Sequence, residues 1–132
     1  MEPATTVNRR HFFRVRLENH PVTLRVLSVA GRPADLPTVQ GWLEDVSGGG
    51  CAVACDLDLP IRLGLVLEVE FQLGGESFKL AAEPVRKVDE RHRYLYGLAF
   101  VDLTEGVRSR LIRELHRIEA EQRKRREAAK AP

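Results

Sequence analysis

The sequence predicts a mostly β chain: a six-stranded antiparallel β-barrel followed by one C-terminal α-helix. Three observations carry that expectation. Apolar and polar residues alternate with period two through most of the first hundred positions, and glycine- or proline-bearing turns interrupt the alternation at short intervals. Near Thr104 the apolar spacing changes once, to that of a helix face. With 132 residues, 43% apolar and 30% charged, the chain has ordinary globular composition and the size for one hydrophobic core.

The strands follow in order. "PVTLRVLSV" places Val22, Leu24 and Val26 on one face, with Thr23 and Arg25 on the other. "VQGWLEDV" and "CAVACDL" come next, and "LVLEVEFQL" sets Leu65, Leu67, Val69, Phe71 and Leu73 against Glu68, Glu70 and Gln72. "SFKLAAEPVRKV" and "RYLYGLAFVDL" complete the set. Turn signals separate them: Gly31-Arg32-Pro33, Gly48-Gly49-Gly50, Pro60 and Gly74-Gly75, the last reading as a two-residue hairpin. Closing such a sheet into a barrel removes its exposed edges, which favours the barrel over an open sheet.

Val107, Leu111, Leu115 and Ile118 recur at intervals of four, four and three, so one helix face docks on the barrel, with Asp102 or Thr104 as its cap. Beyond Ile118 the stretch "EAEQRKRREAAKAP" offers no apolar anchor larger than alanine, so the helix is expected to run into solvent and fray. Arg123, Lys124, Arg125 and Arg126 complement the helix dipole there, and Glu119, Glu121 and Glu127 dilute them as a basic patch. The expected boundaries are a flexible arm over 1–14, a barrel over 15–103, and the helix with its charged tail over 104–132.

Several function classes fall away. A net charge of +2 is too small to specify a partner, and no apolar run approaches the ~18 residues of a membrane span. The N-terminus lacks the apolar core of a secretory signal. Cys51 and Cys55, four apart on a strand and so roughly 13 Å from each other, read as buried thiols of a reducing, cytoplasmic compartment. His11, His20, His92 and His116 are scattered with no metal-ligand spacing, and no nucleophile motif is present, so neither a metal, a cofactor nor an enzyme is expected.

Two segments carry chemistry. "NRRHFFRVRL" gathers Arg9, Arg10, Arg14 and Arg16 ahead of the first strand pattern, with R-x-x-x-R at Arg10 and Arg14. About thirty residues later "EDVSGGG" holds D-x-S-x-x-G at Asp45, Ser47 and Gly50, at a strand-to-strand turn. Together, in this order and spacing, they resemble the PilZ domain, a bacterial receptor module for cyclic di-GMP, and "RRHFFRV" is most similar to the flagellar-brake type. The resemblance spans nearly the whole chain and implies a six-stranded barrel with a trailing helix, in agreement with the reading above. Flagellar-brake proteins usually carry a separate N-terminal domain, so this chain reads as a stand-alone PilZ protein or a piece of a longer one.

The resemblance implies a ligand site with a definite logic. Cyclic di-GMP presents two phosphodiester anions and two guanines; guanidinium groups pair with phosphate oxygens or the guanine O6/N7 edge and stack on base faces. Arg10 and Arg14 would close over it, where lysines would keep charge but lose the planar fork. Asp45 would accept from guanine N1–H and N2–H2, and Ser47 would bind the base or hold the turn. Gly50 is the motif glycine and Gly48 and Gly49 fill variable positions; the run lets the backbone approach without a Cβ in the way and permits positive φ. An arginine at Arg9 resembles family members that bind an intercalated ligand dimer, implying two molecules per protomer. Gly97, in "YLYGLAF", is a second-tier position by the same resemblance, and Trp42 reads as core or pocket wall.

The implied function is a cyclic di-GMP effector whose arm folds over the ligand and acts through a protein partner. The resemblance allows flagellar motor, polysaccharide synthase or pilus machinery as that partner. Two other readings stay open: a small barrel binding RNA or single-stranded DNA, against which the near-neutral charge and scarce aromatics weigh, and a ligand-free interaction module that recruits through its charged helix tail.

Overall fold

The computed structural model describes residues 12–61 and 64–130. Seven strands form one sheet: β1 (Val15–Val29), β2 (Arg32–Pro33), β3 (Val39–Val46), β4 (Gly50–Cys55), β5 (Val66–Leu73), β6 (Glu76–Asp89) and β7 (Tyr94–Phe100). A single helix, α1 (Glu105–Lys130), follows. The strand order is β2-β1-β3-β4-β7-β6-β5, and pairing of β1 with β5 closes the six long strands into an antiparallel barrel. The two-residue β2 pairs only with the end of β1.

Alternation explains the interior. Val22, Leu24, Leu43, Val53, Val69 and Tyr96 point inward and are almost fully buried. The Tyr96 hydroxyl donates to the Leu57 carbonyl and accepts from the Leu59 amide at 2.6 Å, so a buried polar tip is satisfied and the 57–59 loop is tied across that end of the barrel. Gly74 and Gly75, at φ 54° and 92°, make the two-residue hairpin between Leu73 and Glu76.

One difference from the sequence reading has a local cause. β1 begins at Val15, six residues before the "PVTLRVLSV" run, because the register shifts between Arg16 and His20. Asn19 sits there at φ 51°, and this bulge breaks the alternation that would reveal the earlier half of the strand. In β6 a second shift lies between Pro84 and Arg86, where a proline without an N–H is tolerated.

Thr104 caps α1, its hydroxyl accepting from the Val107 amide at 3.2 Å. Leu111 and Leu115 are fully buried, each contributing roughly 1.5–3 kcal/mol by burial. Past Ile118 the helix stays helical to Lys130, helped by the Arg123–Glu119 pair at 2.8 Å. Among the described residues no helix is long and apolar enough to cross a membrane, and no cluster of His, Cys, Asp or Glu could hold a metal.

Candidate functional site

Strand register builds the site. Arg16 pairs with Asp45, Asp45 with Ala52, Ala52 with Gly97, and Gly97 with Arg86, a single line across β1, β3, β4, β7 and β6. Their chain neighbours Val15, Val46, Cys51, Val53, Tyr96 and Leu98 fill the core, so this line faces outward. Ala52 and Gly97 carry almost no side chain and form a floor, and a cavity of about 390 Å³ lies over it. Arg14, Ser47, Gly49, Gly50, Val85 and Arg86 line its sides.

Arg14, which lines the cavity, donates through Nη1 to Asp45 Oδ1 at 3.0 Å; Asp45 itself stands just outside the lining. The arginine side chain is 62% exposed and the aspartate 24%, so this is a surface ion pair worth about 0–1 kcal/mol and readily exchanged for a ligand anion. Arg14 directly precedes β1 and Asp45 lies on β3, next to the residue paired with Val15. Chain connectivity and register thus bring together two charges thirty-one positions apart.

Ser47 is 6% exposed and its hydroxyl faces its own turn. It accepts from the Gly49 amide at 3.2 Å and donates to the Gly50 carbonyl at 3.4 Å, while the Ser47 amide donates to that same carbonyl at 2.8 Å. Of the two roles expected for Ser47, the structure shows the turn-holding one. Of the two freedoms that the glycine run allows, positive φ is not used: none of Gly48, Gly49 and Gly50 adopts it. What they permit is close approach. A Cβ on Gly50 would stand 2.2 Å from the Leu98 carbonyl oxygen, and one on Gly48 would stand 2.8 Å from the Phe12 ring.

Trp42 is brought neither to the core nor to this cavity. On β3 the inward positions are Gly41 and Leu43, so Trp42 between them points outward and is 49% exposed. Arg9 and Arg10 lie outside the described residues. Of the expected arm, Phe12–Arg14 are described, and all three touch the folded body: Phe12 lies over Gly48 and Gly49, Phe13 stacks on His116 with ring centres 4.5 Å apart, and Arg14 meets Asp45.

The structure adds Arg86 and Val85, which sequence reasoning missed. Arg86 extends over Gly97, its Nε 3.6 Å from where a Cβ would be. A glycine opposite an arginine across two strands is a usable signal, but only once the register is known. Behind the floor, the Cys51 thiol is pushed well above its ordinary range by burial, then by the negative Asp45, with Arg14 partly offsetting them. It is a core thiol, as is Cys55. A larger cleft, about 1010 Å³, opens between β1 and the overhang of α1, but Arg16, Arg125 and Arg126 share its lining with Glu18, Glu44 and Glu121, and none of the motif residues lines it.

Residues 8–117 match the family model of the PilZ domain, which covers both motifs, the whole barrel and the docked part of the helix. The chain belongs to the PilZ domain family. Known structures agree on the fold. The PilZ domain of YcgR from Escherichia coli, solved with c-di-GMP, is 23% identical with a TM-score of 0.62, covering 93% of this chain and 99% of that one. YcgR from Escherichia coli in complex with c-di-GMP is 18% identical at a TM-score of 0.70, and this chain covers 51% of its length. The Bacillus subtilis inhibitor of motility MotI/DgrA is 16% identical at 0.64, with 53% of its length covered. This PilZ domain therefore spans about half the length of those two proteins. No curated protein matches the sequence.

Proposed function

We propose that this PilZ domain is a cyclic di-GMP receptor, and that the outward line from Asp45 to Arg86 is its binding surface. The observation that carries the reading is the Arg14–Asp45 pair, whose arginine lines a cavity floored by Ala52 and Gly97. A donor for an anion and an acceptor for a guanine edge stand side by side there, next to a floor with almost no side-chain volume. The c-di-GMP in the two YcgR structures supports the choice of nucleotide.

The ligand phosphates draw Arg14 from Asp45, which releases the carboxylate to accept from guanine N1–H and N2–H2. Arg86, across the floor, supplies a second guanidinium for a phosphate or a base face. Arg10 closes from the arm, and Arg9 holds a second, intercalated nucleotide. Because Arg14 is continuous with Phe13 and Phe12, its displacement rearranges the segment before β1 and changes the surface offered to a protein partner. The domain performs no catalysis in this reading. Its output is regulation of motility, exopolysaccharide or pilus machinery in the cytoplasm.

Calorimetric titration with cyclic di-GMP tests the reading. Arg14→Ala and Asp45→Ala should each weaken binding by roughly 1.5–3 kcal/mol, the range for a hydrogen bond to a charged group. Unchanged affinity in both variants contradicts the site. The same isotherm gives the stoichiometry, expected to be two nucleotides per chain; a ratio of one removes the role assigned to Arg9. Single-stranded RNA should give no comparable heat, and a steeply salt-dependent RNA isotherm would favour the polynucleotide reading instead.

A further inference from the structure

The turn that edges the cavity is held from outside by two residues at none of the fixed positions of either motif: Phe12, a variable position of R-x-x-x-R, and Arg108. Gly48 and Gly49 have no side chains of their own, and the Phe12 ring fills the space above them. Its carbons stand 2.8 Å from a Cβ built on Gly48 and 3.2 Å from one built on Gly49. Arg108, in the first turn of α1, touches both partners. Its Nε donates to the Gly48 carbonyl at 3.1 Å, and its guanidinium carbon lies 5.4 Å from the centre of the Phe12 ring. Nη1 is fixed in turn by Glu105 at 3.1 Å.

The contact continues along one stripe of α1. Ile112, four residues on, would meet a Gly48 Cβ at 3.1 Å, and His116, four further, stacks on Phe13. The helix therefore grips the turn with Arg108 and Ile112, and grips the segment leading to Arg14 with Arg108 and His116. Arg108 itself does not line the cavity. A turn of bare glycines has much backbone freedom to lose on binding, and an external brace removes that freedom in advance.

We infer that Arg108 and Phe12 are positioning residues that clamp the Gly48–Gly49 turn in its binding geometry and link occupancy of the nucleotide site to α1. The inference rests on the cyclic di-GMP reading of that site. The link follows from connectivity: a ligand that draws Arg14 off Asp45 moves the chain that carries Phe13 and Phe12, and both rings sit on α1. Arginine is required because one planar group makes the in-plane hydrogen bond and covers the ring face, which an ammonium cannot do together.

Cyclic di-GMP titration and amide hydrogen exchange on wild type, Arg108→Ala, Arg108→Lys and Phe12→Leu test this. Arg108→Ala should lose roughly tenfold in affinity, about the worth of one net hydrogen bond with its cation–π contact. Arg108→Lys should stay impaired, whereas Arg113→Ala, an exposed arginine on the same helix, should match wild type. Saturating nucleotide should change exchange across residues 108–116 in wild type, and that change should be lost in Phe12→Leu. Wild-type affinity in Arg108→Ala, full rescue by lysine, or an α1 indifferent to the nucleotide would each overturn the clamp. If wild type binds no cyclic di-GMP, the receptor reading fails, and the clamp is judged on the ligand-free protein. There, thermal unfolding of Phe12→Leu, Arg108→Ala and the double variant should be non-additive, and strict additivity overturns it.

Discussion

Two outward-facing lines of residues cross β1, β3, β4, β7 and β6 side by side. One runs Arg16, Asp45, Ala52, Gly97, Arg86; the other runs Pro21, Trp42, Ala54, Leu95, Val88. On β4, β7 and β6 they lie one pleat apart, in the same sheet with the same curvature. The first has a glycine and an alanine between charged ends, and a cavity stands over it. The second places Trp42 and Leu95 on either side of Ala54, which has no exposure left, and none of its residues lines that cavity. The comparison teaches that this site is made by missing side-chain volume as much as by charge. The strand scaffold is common to both lines, and the glycine with its charged flanks distinguishes the first.

The comparison is broken most severely at Gly50. Its Cβ would stand 2.2 Å from the Leu98 carbonyl oxygen, a backbone atom that moves only if β4 and β7 part. Gly50→Ala should lower stability by about 1–3 kcal/mol or more, as overpacking does, and abolish nucleotide binding with it. Denaturant titration measures the first effect and calorimetry the second. Filling the floor is the more selective experiment. A Cβ on Gly97 meets the Arg86 side chain only at 3.4 Å, an ordinary contact. Gly97→Val should therefore fold with stability within about 1 kcal/mol of wild type, yet lose well over tenfold in affinity by making the first line resemble the second.

Weaker effects sharpen the same contrast. Cys51 lies on the inner face of β4, directly behind the floor, and its thiol is raised mainly by burial. A group held protonated by folding contributes stability below its ordinary titration range and loses it as pH rises, so the denaturation midpoint should begin to fall above pH ~9. Cys51→Ala should flatten that fall, and native Cys51 should resist alkylation at pH 8. Smallest of all is Trp42→Ala. The side chain is half exposed and outside the cavity, so cyclic di-GMP affinity should stay within about twofold, inside the usual range for surface changes.

Much of the fold was legible because strand alternation is a direct record of inside and outside. Val22, Leu24 and Val26 on β1 and the Leu65–Leu73 run reveal the barrel, and Gly74-Gly75 its hairpin. The first half of β1 was hidden because Asn19 interrupts the period that such reading depends on. The Arg14–Asp45 half of the site was legible as motif residues, although only the closed sheet sets them 3.0 Å apart. Arg86 was not legible, since its importance comes from facing Gly97 and register across β6 and β7 is a tertiary fact. What the glycine run makes room for was not legible, because sequence shows that a Cβ is absent without showing what occupies its place. Here the occupants are the Leu98 carbonyl and the Phe12 ring.

The central claim is that cyclic di-GMP lies along the first line and not the second. Amide chemical-shift mapping during nucleotide titration tests it in one experiment. The expected result is large shifts at Asp45, Gly49, Ala52, Arg86 and Gly97, with Trp42, Leu95 and Val88 nearly still. Shifts centred on Trp42 and Leu95, or none anywhere at saturating nucleotide, would contradict it.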